Sequence, residues 1–227
     1  MNALLITGTD TGVGKTWVGR ALGRALSQAG RRVVAIKPVE TGCAGATSAG
    51  EDGALLAAAT GQAEPLAALI RYDDEVAPAV AADAVGEPID LDALMLRIEA
   101  LSAGADVLLI EGSGGLLTPI AWEWTIVDVA RSLDAAALLV GSDRLGTINH
   151  AVMTLSALEL AGLEVAGMVL TAPETPDAST GTNAASIARL AGLDRIVSLP
   201  RLADPALAGG ALAPVIGWID RVGSGAR

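Results

Sequence analysis

Of the chain's 15 basic residues only two are lysines, Lys15 and Lys37, and each stands where an ammonium could meet a phosphate. Lys15 lies in the run Gly8-Thr9-Asp10-Thr11-Gly12-Val13-Gly14-Lys15-Thr16. Successive backbone N–H groups in such a run, together with the helix N-terminus behind it, form an anion nest. The lysine reaches the terminal phosphates and the following hydroxyl ligates Mg²⁺. The strict spacing asks for glycine where Thr9 stands, so Gly8 comes one residue early. A plain glycine-rich turn would leave Gly-Lys-Thr at the helix start unexplained. Lys37 opens Lys37-Pro38-Val39-Glu40-Thr41-Gly42, where Pro38 fixes the chain just past the lysine. A second ammonium facing the nest suits phosphoryl transfer, whose charge is stabilised by positioned cations. The plainer reading is a surface lysine at a strand end. Arginine everywhere else fits a coding bias, which would spare lysines whose compact charge arginine does not reproduce.

The acids complete the set. Glu111-Gly112-Ser113-Gly114-Gly115 follows the apolar run Val107-Leu108-Leu109-Ile110, the usual place for a Mg²⁺ carboxylate beside a nucleotide loop. Asp52, after Glu51 and ahead of the helical run Gly53 to Ala59, is the second acid, although acids at helix starts also serve as dipole partners. Mg²⁺ takes one or two carboxylates plus phosphates and water, so Thr16, Asp52 and Glu111 would suffice. One cysteine (Cys43) and one histidine (His150) leave no obvious catalytic triad.

Positioning these groups requires a sheet. Apolar runs read as strands at Ala3–Ile6, Arg32–Ile36, Val107–Ile110, Ala136–Val140, Val165–Leu170 and Ile196–Leu199. Between them, three-and-four spacing predicts helices at Lys15–Ala29, Leu91–Ser102 (N-capped by Asp90), Thr147–Leu160 and Asn183–Leu190. Continuous apolar strands separated by helices predict an α/β fold: a mostly parallel sheet with helices on both faces, of the phosphate-loop NTPase kind. Ligands then bind beyond the carboxyl ends of the strands, where all the chemical residues above fall. The segments Ala44–Gly50 and Thr171–Gly181 read as mobile surface loops.

Composition bounds the rest. With 227 residues, 52% hydrophobic and 18% charged, the chain suits one domain over 1–227. A formal charge of −11 argues against a general nucleic-acid binder, and five aromatics offer few stacking platforms. The lone cysteine rules out a disulfide framework. Mean hydropathy is +0.50, yet the longest uncharged stretch, Pro205 to Ile219, spans 15 residues and is broken by glycines and Pro214. A membrane span needs roughly 20 apolar residues. The glycine-rich run begins by Gly8, leaving no room for a signal peptide, so the expectation is a soluble, cytoplasmic protein without membrane partners.

Taken together, Gly8-Thr9-Asp10-Thr11 with Val13-Gly14-Lys15-Thr16, Lys37-Pro38-Val39 with Thr41-Gly42, Glu51-Asp52, Glu111-Gly112 with Gly114-Gly115, Thr118-Pro119 and Leu145 to His150 resemble the dethiobiotin synthetase family. The resemblance runs from residue 1 to about 170 and loosens after that. It implies ATP-dependent closure of a cyclic urea from 7,8-diaminononanoate and CO₂, through a carbamate and a mixed anhydride. It implies that Lys15 and Lys37 hold the carbamate and γ-phosphate, and that Thr16, Asp52 and Glu111 hold Mg²⁺. Thr11, Gly12, Val13, Gly14, Lys15 and Thr16, with Glu111, Gly112, Gly114, Gly115 and Thr171, would bind the nucleotide. Thr41, Thr118 and the backbone near Pro78 would face the diamine. A homodimer is implied, with Gly146, Thr147, Ile148 and Asn149 of the partner receiving the distant carboxylate.

The family commonly has an asparagine reading adenine where Thr171-Ala172-Pro173 stands here, so tolerance toward other nucleoside triphosphates is expected. Cys43 reads as a bystander at the rim, His150 as a packing or interface residue, and Trp122 and Trp124 as core or interface packing. Two other classes compete. A partition-type nucleotide switch would carry a further lysine early in the phosphate loop, and none lies between Gly8 and Gly14. An amidotransferase-linked synthetase would need a glutaminase domain, for which the chain has no room.

Overall fold

The computed structural model describes residues 1–222. In chain order its elements are β1 (Asn2–Gly8), α1 (Lys15–Gln28), β2 (Val33–Ile36), β3 (Val39–Thr41), α2 (Asp52–Thr60), β4 (Ile70–Tyr72), α3 (Pro78–Val85) and α4 (Leu91–Ser102). There follow β5 (Val107–Glu111), β6 (Pro119–Ala121), β7 (Trp124–Thr125), α5 (Ile126–Ser132), β8 (Ala136–Ser142), α6 (Thr147–Leu160), β9 (Val165–Thr171), α7 (Asn183–Ala191) and β10 (Ile196–Leu199). A short 3₁₀ turn, Pro205–Ala208, leads into α8 (Gly209–Val222).

Six strands form one wholly parallel sheet in the order β10-β9-β8-β1-β5-β2. Side chains alternate across it. Leu4 and Ile6 of β1 join Leu22, Leu26, Leu56, Leu212 and Val215 on the face covered by α1, α2 and α8. Ala3 and Leu5 join Leu94, Ile98, Val129 and Leu158 on the opposite face, under α4, α5 and α6. Consecutive apolar residues in β1, β5 and β8 therefore reflect burial on both sides. Asp90 caps α4, accepting from the Ala93 N–H at 3.0 Å. No helix among the described residues is long and apolar enough to cross a membrane.

The predicted strands and helices are all present with ends shifted by a residue or two. Several elements lacked a sequence signal. β3 and β4 are three residues each and pair only with one another, too short for periodicity to register. Helix α8 contains Pro214 and several glycines, which argue against helix. Burial of Leu212, Val215 and Ile219 against the sheet outweighs that propensity. Trp122 and Trp124 belong to the β6–β7 hairpin and stand 62% and 40% exposed, so neither is core. The segment after β9 is irregular but anchored. Asp177 accepts from the Leu145 N–H at 2.8 Å, and buried Asp143 accepts from Gly181 N (2.8 Å) and Asn183 Nδ2 (2.7 Å).

Strand β2 lies at the sheet edge, and a side chain substitutes for the missing neighbour. Gln62 accepts from the Ala35 N–H through Oε1 at 2.7 Å and donates through Nε2 to Ala35 O (3.0 Å) and Pro65 O (2.7 Å). This blunts the edge two residues before Lys37 and ties the end of α2 to it. Gln62→Ala removes these bonds, together with the one Oε1 accepts from Thr60 Oγ1 at 2.8 Å, and is expected to lower stability by about 1–3 kcal/mol, measured by urea unfolding at unchanged m-value.

Candidate active site

The carboxyl ends of β1, β2 and β5 bring the two lysines and both acids to one place. Gly14 closes the loop after β1 with φ 95°, a left-handed conformation that suits glycine, and α1 starts directly at Lys15. Lys15 Nζ donates to Asp10 O at 3.0 Å across its own loop. Thr16 Oγ1 donates to Glu111 Oε1 at 2.7 Å. Lys37, just past β2, donates to Glu111 Oε1 and Asp52 Oδ2, both at 2.8 Å, and to Gly112 O at 3.3 Å. The chain's two ammonium groups and its candidate metal acids thus form one cluster. Lys15, Lys37 and Glu111 are all buried.

The electrostatics of the two lysines differ. Burial pulls the Lys37 ammonium down, but Glu111 and Asp52 more than offset it and leave its pKa above the ordinary value. Burial and repulsion from Lys37 instead push Lys15 down to about 8. Burial raises the Glu111 carboxyl despite Lys37. Asp52 is held below its usual range, with Lys37 overcoming the effect of burial. Lys15 is therefore the undercompensated cation of the cluster, and a phosphate is the chemistry that would relieve it. Glu111 Oε2 is buried without a hydrogen-bond partner and is turned toward Gly19 of α1, whereas Oε1 faces Thr16 and Lys37.

Two clefts meet at the glycine-rich loop and share Thr11, Gly12, Gly14 and Trp17. The first, about 730 Å³, is lined by Lys15, Thr16, Lys37, Thr41, Asp52, Pro78, Gly114 and Thr118 among others. The second, about 620 Å³, includes Val13, Thr171, Pro173, Leu199, Pro200 and Leu202 in its walls. Glu111, Gly112 and Gly115 do not line either cleft. Glu111 lies beneath Thr16 and Lys37. Gly112 presents its carbonyl to Lys37, and Gly115 abuts the backbone of Gly8 and Thr9. Gly146, Thr147, Ile148 and Asn149 start α6 but border neither cleft within one chain. His150 is exposed, and Cys43 is buried outside both clefts.

Thr171 lines the second cleft, yet its hydroxyl is turned inward. It donates to Val13 O at 2.9 Å, with Gly141 O at 3.3 Å, so it braces the loop rather than facing a ligand. Sequence reasoning missed Trp17, Glu40, Glu75, Val76, Ala77 and Ser113 in the first cleft. Ser113 and Glu40 sat inside motifs already singled out; the stretch Glu75 to Ala77 carried no signal.

Comparison with known proteins gives this geometry a family. A family model described as an AAA domain matches residues 2–206. The ATP-dependent dethiobiotin synthetase of Anaeromyxobacter dehalogenans is 42% identical over 221 residues, spanning 95% of this chain and 97% of the relative. That of Aquifex aeolicus is 38% identical, spanning 88% and 90%. The chain belongs to the dethiobiotin synthetase family. Among solved structures, a MinD cell-division ATPase of Pyrococcus furiosus superposes with a TM-score of 0.58 at 18% identity, covering 98% of this chain and all of that one. A ParA-family ATPase from Chlorobium tepidum gives 0.57 at 13% identity, covering 97% of each. These two share the fold with the dethiobiotin synthetase family and, at such identity, establish only that.

The depressed Lys15 has a measurable consequence. A bound phosphate favours the ammonium, so the pKa rises on binding and the protonated form binds better. Above about pH 7, where the nucleotide's phosphates are already ionised, metal-free affinity should weaken as pH rises through the Lys15 pKa of about 8, by up to about tenfold per pH unit. Calorimetry near pH 8 in buffers of different ionisation heat should register proton uptake on binding.

Proposed function

We propose that this chain closes the cyclic urea of dethiobiotin from 7,8-diaminononanoate and CO₂, with ATP activating the carbamate. Family membership makes it an ATP-dependent enzyme of biotin synthesis, a cyclo-ligase forming a carbon–nitrogen bond. The observation that carries the finer reading is Lys37 held between Asp52 and Glu111 beside Lys15, in a cleft that also contains Thr41, Thr118 and Pro78.

In this reading one substrate amine adds to CO₂, losing a proton to give the carbamate. A carbamate oxygen attacks the γ-phosphorus and ADP leaves. The second amine then attacks the carbonyl carbon, phosphate departs, and the ring nitrogen loses its proton. The substrate supplies every nucleophile, so the protein needs none. Its residues position the reactants and neutralise charge. Lys15 holds the terminal phosphates from the loop, and Lys37 holds the carbamate and γ-phosphoryl from the adjacent strand end. Thr41, Thr118 and the backbone at Pro78 orient the diamine.

The donor set fits Mg²⁺: a hydroxyl (Thr16) and two carboxylates (Asp52, Glu111) gathered around Lys37. When bound, the ion neutralises charge on the β- and γ-phosphates. The start of α6, Gly146 to Asn149, is a helix N-terminus outside both clefts. It suits the distant carboxylate of a substrate bound to a second subunit, which makes the working unit a homodimer, placed in the cytoplasm.

The direct test is phosphate release from MgATP with and without 7,8-diaminononanoate and dissolved CO₂. Release dependent on the diamine is expected; diamine-independent turnover stimulated by DNA or lipid would overturn the reading in favour of a nucleotide switch. Lys37→Arg should lose most turnover while still binding nucleotide, because a planar guanidinium does not fit between two carboxylates set for an ammonium. Wild-type turnover in that variant would place Lys37 outside the chemistry.

The second cleft suits a nucleoside, and the Thr171 hydroxyl there is bonded within the protein and not free to read a base edge; Arg144, Glu174, Thr175 and Arg201 line the cleft beside Pro173, Leu199, Pro200 and Leu202. The ratio of kcat/KM for ATP over CTP or GTP should stay under a hundredfold, about 2.7 kcal/mol.

A further inference from the structure

Helix α2 is capped in an unusual way. Its N-cap residue, Glu51, makes no side-chain capping bond. Both Glu51 oxygens are instead bound to Arg71, at 2.6 and 2.9 Å. The first free N–H groups of the helix are satisfied from another element. Glu40, on β3 and three residues after Lys37, accepts from Asp52 N at 2.5 Å through Oε1 and from Gly53 N at 2.9 Å through Oε2. Glu40 is buried at 7% exposure in the wall of the first cleft. Gly53 allows the approach. A Cβ there would lie 2.2 Å from the Ala68 backbone nitrogen, so the helix start is wedged against the chain behind it.

A third carboxylate in a phosphate-binding cleft needs a reason, because it opposes anion binding. The helix N-terminus supplies one: its N–H groups and dipole neutralise Glu40. More is gained than a cap. Glu40 also fixes the backbone of the residue that carries the second acid, since it grips the N–H of Asp52 itself and of Gly53. With that backbone held, the Asp52 carboxylate is presented to Lys37 at 2.8 Å.

We infer that Glu40 is a positioning residue that keeps the Asp52 carboxylate available to Lys37 and Mg²⁺ by anchoring the backbone N–H groups of Asp52 and Gly53 at the start of α2. The inference rests on Asp52 as a Mg²⁺ ligand. Glu40 has no need to touch substrate or metal. Glu40, Cys43 and Glu51 offer donor atoms within 4.8 Å of one another, a possible metal cluster by distance alone. The oxygens of Glu40 and Glu51 are bonded to α2 and to Arg71, which argues for a structural brace there.

The test compares Glu40→Ala, Glu40→Gln, Asp52→Asn and Gln62→Ala in the full-length chain. ADP binding is measured by calorimetry across a Mg²⁺ titration, with thermal unfolding and turnover alongside. Glu40→Ala should raise the Mg²⁺ concentration for half-maximal gain in ADP affinity by about tenfold to a hundredfold. Metal-free ADP affinity should change less than about threefold. Glu40→Gln keeps one acceptor and should fall between, and it serves alone if the alanine variant does not fold. Gln62→Ala loosens the other end of α2 and should keep the parental Mg²⁺ dependence despite lower stability.

If both Glu40 variants, or the glutamine alone, keep the parental dependence while Asp52→Asn loses it, Glu40 is only a cap and the inference is overturned. If Gln62→Ala shifts the dependence as much as Glu40→Gln, general loosening explains the effect and the inference is likewise overturned. If Asp52→Asn leaves the dependence intact, it is the metal reading of Asp52 that fails, taking this inference with it.

Discussion

The site depends on keeping one ammonium charged in a place with little water. Lys37 is 4% exposed, and an isolated cation there would lose its proton rather than bear the desolvation. Glu111 and Asp52 prevent that, and the requirement dictates much of the local architecture. Glu111 must end β5, the sheet neighbour of both β1 and β2. Asp52 must start a helix that leans back toward the same strand ends. Breaking either pair would leave a buried charge exposed to its full desolvation cost, a larger penalty than the pair is worth when intact. The cluster is therefore better understood as a device for holding charge in position than as a source of stability.

The parallel sheet explains why the cluster can exist with so few polar residues. Strands buried on both faces have only their ends free, so chemistry collects where β1, β2 and β5 stop. Faces built from Leu, Ile, Val and Ala need no polar group in the interior, and the two lysines project from that apolar base. Thr16 and Glu111 then link the start of α1 to the end of β5 through one hydrogen bond. The phosphate loop and the acid consequently share a frame, although 95 residues separate them in the chain.

The parts legible in the sequence were those with strong local signals. The runs Val107–Ile110 and Ala136–Val140 announced buried strands, and Asp90 before Leu91 announced a helix start that the structure reproduces. Lys15 and Lys37 stood out by rarity, and the geometry brings both to one cluster. What could not be read depended on distant partners. Glu40 looked like filler between two motif residues, because its role comes from α2 rather than from its neighbours. Helix α8 was hidden by its own proline and glycines, since its stability comes from the sheet it covers. The direction of the Thr171 hydroxyl is set by Val13, which is 158 residues away in the chain.

That last bond reaches beyond the loop itself. Thr171 ends β9, and Gly167 in the same strand leaves room for the Trp218 ring of α8. Strand β9 thus meets the last helix at Gly167 and the Val13 carbonyl of the glycine-rich loop at Thr171. One strand therefore serves as the common support of the anion seat and of the chain's last helix.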